Sequence, residues 1–271
     1  MKTIKELCIN LDIPRELIPL ITKCDEMLDY DILMATFKKT IDPKTSNDIV
    51  YKELITLLGE DIDGIKLLTC SLKMGLQDFE NYQKRGISEK IFIDTMKCFT
   101  RFLSESKASY GRYKFDRGWW TYRQLSLRIF RIGELEYELF SANQEKQISI
   151  HIPSDASFKI ENITTSIKLA KEFMAKYFSE YENAKYMCSS WLLVPKLADF
   201  LSPTSNILQF QKLFNIESCN PEPMGFIFWI YNMYTTDYDT LPTNSSLQKA
   251  LKPYILAGGK IGVAKGYLKD Q

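Results

Sequence analysis

Along roughly the first hundred residues the apolar positions recur at helical spacing. Leu17, Ile21 and Leu28 form one such series, and Leu68, Leu72, Leu76 and Phe79 form another. Phe92, Met96, Phe99 and Leu103 make a third stripe. Polar and glycine positions punctuate these runs. Thr3 and Glu6 have the spacing of a capping box ahead of the first apolar run, and Ser88 can cap the helix that carries Phe92. Gly59 breaks a short helix bearing Ile55 and Leu58, and Gly86 stops the one bearing Phe79. The pattern predicts roughly five or six helices and no strand in this half.

Beyond residue 118 the period changes to two. Leu125, Leu127 and Ile129 alternate with Gln124, Ser126 and Arg128, and Leu135, Tyr137 and Leu139 alternate with Glu134, Glu136 and Glu138. This predicts a hairpin with one buried face. A three-residue turn, Arg131 to Gly133, keeps the apolar sets on one side and places Gly133 where such turns need a left-handed residue. A third strand follows from Gln147 to Ile152, then a helix from about Thr164 to Tyr181. "AKYMCSSWLLVP" reads as a strand ended by Pro195, and short helical stretches follow at Lys196 to Phe200 and Asn206 to Phe214. "MGFIFWIYN" reads as a fully buried strand. A last helix at Ser246 to Leu256 leads into a glycine cluster read as a helix C-cap and a terminal strand. The expected order is β-β-β-α-β-α-β-α-β, with no internal repeat.

Composition narrows the class. The 271 residues carry a formal net charge of +1 with 45% hydrophobic residues, which suits a globular protein and argues against nucleic acid as a partner. The six cysteines include no CxxC pair, and there is a single histidine, His151, so no metal site is expected. The cysteines read as reduced. No apolar leader opens the chain and no apolar run is long enough to span a bilayer, so the expectation is a cytoplasmic protein with no membrane partner. The sequence does not fix an oligomeric state.

Four stretches together resemble the GNAT-like acyltransferases, and more narrowly the bacterial two-domain members with a helical N-terminal domain. They are "LSLRIFRIGELEYEL", "ISIHIPSDA", "CSSWLLVPKLADFLSPTSNILQFQKLF" and "LPTNSSLQKALKPYILAGGKIGVAKGYL". The resemblance implies an α+β chain in three parts: an all-helical domain at 1–105, a basic and aromatic connector at 106–118, and a GNAT-like mixed β-sheet flanked by helices at 119–271. It also implies transfer of an acyl group from coenzyme A to a small amine in a direct ternary complex, in a groove between the halves. The strand ending at Ile152 would splay from the strand at Lys185 to Val194, and pantetheine would lie in the gap. Backbone near Ile150 and Ile152 would meet it, and Ser190 and Trp191 would line the acyl pocket. The family's glycine-rich pyrophosphate loop has no counterpart, because "PSDASFKIENITTSI" contains no glycine. Either the helix terminus binds phosphate without it, or CoA sits differently, or the fold survives as an inactive binding or interaction module.

Against that frame His151 is the candidate general base. It lies on the polar face of its strand, one residue before Pro153, and imidazole, with an ordinary pKa near ~6.5, suits removal of an amine proton. The plainer alternative is a polar residue at a strand end. Asp155 is a second base or an orienting carboxylate, or simply part of a turn after Pro153. Asn162, Thr164 and Thr165, with Ser166, crowd the expected helix start, where free N–H groups attract anions such as a CoA phosphate, although simple N-capping would explain them too. Cys188 reads as a buried thiol rather than a nucleophile. Lys107, Arg112, Lys114, Arg117 and Arg123 interleave with Tyr110, Tyr113, Phe115, Trp119, Trp120 and Tyr122, which suits either a nucleotide-stacking surface or packing between halves.

Overall fold

The structure, a computed structural model, describes residues 3–39, 47–142, 144–233 and 235–269. The chain divides into two compact units, Met1–Arg131 and Ile132–Gln271.

The first unit is built from helices α1 (Ile4–Asn10), α2 (Ile18–Met27), α3 (Tyr30–Lys39), α4 (Asn47–Leu58), α5 (Ile65–Lys84), α6 (Glu89–Met96), α7 (Cys98–Tyr110) and the short α8 (Gly118–Thr121). Its punctuation follows the sequence. Thr3 Oγ1 accepts from the Glu6 N–H at 3.1 Å, and the Ser88 side chain accepts from Ile91 N–H. Each such bond satisfies one of the N–H groups a helix start leaves without a partner. α5 is central: Leu68 and Leu72 are fully buried and Phe79 nearly so. Phe92, Met96, Phe99 and Leu103 are also fully buried, but the stripe is shared between α6 and α7, which meet at Lys97.

Six strands form one sheet in the order β1-β2-β3-β4-β6-β5. They are β1 (Ile129–Ile132), β2 (Leu135–Ala142), β3 (Glu145–His151), β4 (Lys185–Ser190), β5 (Phe214–Asn220) and β6 (Val263–Leu268). β2 and β3 are antiparallel, β3 and β4 are parallel, and β6 runs antiparallel to both β4 and β5. The helices of this unit are α9 (Ile160–Tyr177), α10 (Asn206–Gln211), α11 (Phe226–Tyr231) and α12 (Ser246–Leu256). α9 buries Ile163, Ser166, Ile167, Ala170 and Met174. Ser166 fixes it: the hydroxyl donates to Ile132 O, meets Tyr137 Oη at 2.9 Å and accepts from Leu135 N–H at 3.3 Å.

Several expectations are corrected. Residues 124–128 do not form a strand, and the first arm of the hairpin is only β1 (Ile129–Ile132). Gln124–Ser126 is a 3₁₀ turn, Leu127 takes φ +50°, and Gln124 is fully buried, so the alternation there does not separate a wet face from a dry one. The hairpin turn is Gly133–Glu134, two residues rather than three. Gly133 adopts φ +63° at its first position, and a Cβ there would lie 3.0 Å from Ser166 Cβ, so both conformation and space call for glycine. "FIFWIY" is helix α11 rather than a strand. Its apolar run is too short for periodicity to distinguish the two, Trp229 is half-exposed, and Asn232 ends it at φ +54°. The strand in that part of the chain is β5, an edge whose residues beyond Phe214 are half-buried or exposed. β4 stops at Ser190, and Trp191–Leu193 forms a 3₁₀ turn. α9 begins at Ile160, about a turn before Thr164, and ends at Tyr177.

Candidate functional site

The local geometry of interest is where β3 ends. β3 keeps its ladder to β2 as far as Glu136↔His151. Its ladder to β4 stops one residue earlier, at Ile150↔Cys188. β4 continues, but only toward β6, through Ser189↔Lys265 and Ser190↔Ala264. The ladder between the two parallel strands therefore ends at this point, with His151 and Ile152 following on one strand and Ser189 and Ser190 on the other. Pro153, which has no N–H, ends β3, and Ala156 N–H closes a turn onto Pro153 O at 3.1 Å.

Cross-strand partners share a face. Glu136 and Glu138 of β2, Ser149 and His151 of β3, and Met187 and Ser189 of β4 therefore line one side. Tyr137, Ile148, Ile150 and Cys188 line the other. On the first side His151 Nε2 lies 2.8 Å from Glu138 Oε2, with the imidazole 25% exposed and the carboxylate side chain 12% exposed. A carboxylate accepts only, so while neutral the imidazole carries its proton on Nε2 and its lone pair on Nδ1. A half-sheltered imidazole held in one tautomer at the mouth of a strand opening can accept a proton from a bound nucleophile.

The sequence did not single out Glu138 beside His151; it offered Asp155 as a second base, an orienting carboxylate or part of a turn. The signal existed. The alternation of Glu134, Glu136 and Glu138 with apolar residues, paired with that of Ser149 and His151, brings Glu138 to His151 once the β2–β3 register is set. Asp155 itself is exposed in the turn after Pro153.

The remaining candidates fall in three places. Ile150, 2% exposed, and the half-buried Ile152 flank His151 at the opening. Ser190 stands across from them, but its Oγ accepts from Leu192 N–H at 3.2 Å and caps the 3₁₀ turn in which Trp191 is half-buried. Asn162 lies in the first turn of α9, exposed, with Nδ2 donating to Ser157 Oγ at 3.1 Å. Thr164 and Thr165 sit in the second turn, and their hydroxyls donate to Ile160 O and Glu161 O at 3.0 and 2.7 Å. They are therefore not at the helix start, where unpaired N–H groups would be found. Burial pushes the Cys188 thiol up to about 12, which keeps it protonated and removes it as a nucleophile. Among the described residues no three His, Cys, Asp or Glu side chains gather as a metal site, and no helix is long and apolar enough to cross a membrane.

The cationic, aromatic segment pairs both with itself and with the rest of its unit, where Arg112 meets Asp63 at 3.3 Å and Arg117 meets Glu105. Arg123 stacks 4.0 Å from the Trp120 ring centroid and 4.6 Å from that of Tyr122, and Lys107 lies 5.0 Å from that of Tyr113. Phe115 is buried against Phe99.

Two family models cover almost the whole chain: the N-acyltransferase N-terminal domain matches residues 2–127, and the GNAT-like C-terminal domain matches residues 129–268. The protein belongs to the GNAT-like acyltransferases in which these two domains follow one another. Among solved structures, an acyltransferase in complex with decanoyl-CoA and teicoplanin superposes with a TM-score of 0.82 at 20% identity, over 97% of this chain and 86% of that one. An acyltransferase mutant in complex with octanoyl-CoA gives 0.82 at 19% identity, over 98% and 87%. An acyltransferase in complex with CoA and 10C-teicoplanin gives 0.72 at 18% identity, over 99% of each chain. At such identities the likeness carries the fold. No curated protein matches the sequence.

Proposed function

We propose that the protein transfers an acyl group from acyl-CoA to an amine, with His151 as general base and Glu138 as the carboxylate that orients it. The observation that carries this reading is the His151–Glu138 pair at 2.8 Å, placed where the β3–β4 ladder ends. The β3–β4 ladder ends at Ile150↔Cys188, and a pantetheine arm, with its own amides, can lie along the strand end there. The amine nitrogen attacks the thioester carbonyl, its proton passes to His151 Nδ1, and collapse of the tetrahedral oxyanion breaks the C–S bond. The thiolate leaves and takes up a proton, and the amide remains. N–H groups near Ile150 to Ile152 stabilise the oxyanion. Family membership supports the reaction class, and the acyl-CoA complexes of the structural neighbours support the donor. The neighbour that holds teicoplanin widens the acceptor beyond simple amines to an amine on a larger molecule.

Calorimetry with decanoyl-CoA, followed by thiol release in the presence of small amines and glycopeptides, tests the proposal. Micromolar binding and amine-dependent thiol release are expected. Absence of both for every acyl-CoA from acetyl to decanoyl would refute it.

A further inference from the structure

We propose that Glu134 sets donor specificity: its carboxylate occupies the loop amide that a donor phosphate would take. The acyl donor is then held by its acyl-pantetheine arm and gains little affinity from its nucleotide. This rests on the acyl-donor reading above. Ser157, in the loop between β3 and α9, donates its backbone N–H to Glu134 Oε2 at 2.7 Å, a short charge-assisted bond. Its hydroxyl accepts from Asn162 Nδ2 at 3.1 Å. Ala156 N–H is used by Pro153 O, and Pro153 has no N–H to offer.

An unoccupied helix start draws anions because its N–H groups point outward and carry the positive end of the helix dipole. Here the negative charge is already supplied from within. Glu161 stands in the first turn of α9, and Asn162 N–H turns back to Lys159 O at 3.0 Å. From Pro153 to Asn162 the charged side chains are Asp155, Lys159 and Glu161. A phosphate approaching Ser157 N–H would have to displace a carboxylate from its bond and meet that like charge beside it. No glycine is present to let the backbone close around it. The uncharged pantetheine arm meets no such opposition.

The test compares binding of decanoyl-CoA and decanoyl-pantetheine by calorimetry, in the wild type and in Glu134→Gln. The substitution keeps an acceptor oxygen for Ser157 N–H and removes the charge. The wild type should bind the two thioesters within about 3-fold of each other. Glu134→Gln should tighten decanoyl-CoA by about 5- to 10-fold, the worth of one charge interaction, and leave decanoyl-pantetheine unchanged. A wild-type preference for decanoyl-CoA of about 100-fold or more would overturn the proposal while leaving the acyl-donor reading intact. Equal shifts for both donors in Glu134→Gln would overturn it too, since Glu134 would then only order the loop. If neither thioester binds the wild type, the acyl-donor reading falls and this proposal falls with it.

Discussion

The hairpin under α9 and the middle of α5 both bury polar side chains, to opposite effect. Ser166 is 1% exposed, and its hydroxyl meets Ile132 O, Tyr137 Oη and Leu135 N–H. Asp78 on α5 is 3% exposed and takes a single amide bond from Asn81 at 3.1 Å, leaving Oδ2 with no protein partner. Gln124 is fully buried with no protein partner at either amide atom. A satisfied hydroxyl positions a helix at little cost, while an unsatisfied carboxyl strains the state it sits in. Burial pushes the Asp78 carboxyl up to about 7, and the Asn81 bond only partly opposes it. The second unit has its own case, since Tyr186 Oη is also buried without a partner.

The largest stability effect that would sharpen this contrast is at Asp78. The folded state holds its proton up to about pH 7, whereas the unfolded chain releases it near 3.8. Between those values the folded protein binds more protons, so stability falls as pH rises through that window and is flat beyond it. Asp78→Asn should remove this fall and leave the protein on the order of 3–4 kcal/mol more stable than wild type at pH 8, as an upper figure. Urea denaturation from pH 4 to pH 8 measures it, and parallel pH profiles for the two proteins would contradict the assignment.

Ser166→Ala should destabilise by about 1–3 kcal/mol, because it leaves the buried Ile132 O and Leu135 N–H short of a partner. Gly133→Ala should cost about 1–2 kcal/mol through its positive φ and its crowding of Ser166. Thermal unfolding reads both, and a neutral result for Ser166→Ala would mean the hydroxyl is not what holds α9. The smallest effect is expected at Gln124. Replacement by Met removes two unsatisfied polar atoms and should be neutral or stabilise by up to about 1 kcal/mol. A loss of more than that would place a hidden partner beside the amide.

Legibility in the sequence followed the same divide between local and non-local causes. The caps at Thr3 and Ser88, the stops at Gly59 and Gly86, and the span of α12 were readable because each depends on residues within one turn. β3 was readable because Gln147, Ser149 and His151 alternate with isoleucines. β5 was not, since a polar edge strand has no buried face to mark it. The 3₁₀ turn at Gln124 was hidden because its alternation imitates a strand while Leu127 turns the chain. His151 could be singled out by its place before Pro153, but its partner could not. Glu138 reaches it only through the antiparallel register of two strands, and residues closer in sequence, such as Asp155, competed for the role.

The central claim is that His151, oriented by Glu138, takes the proton of an acceptor amine. Its most direct test is the rate of amine-dependent thiol release from decanoyl-CoA in the wild type, His151→Gln and Glu138→Gln. His151→Gln should lower turnover by about 10²-fold or more with decanoyl-CoA binding unchanged. Glu138→Gln should lower turnover by about 10-fold, since the imidazole loses the carboxylate that holds its tautomer and orientation. Turnover by His151→Gln within a few-fold of wild type from pH 6 to 9 would contradict the account and return His151 to an ordinary strand-end residue.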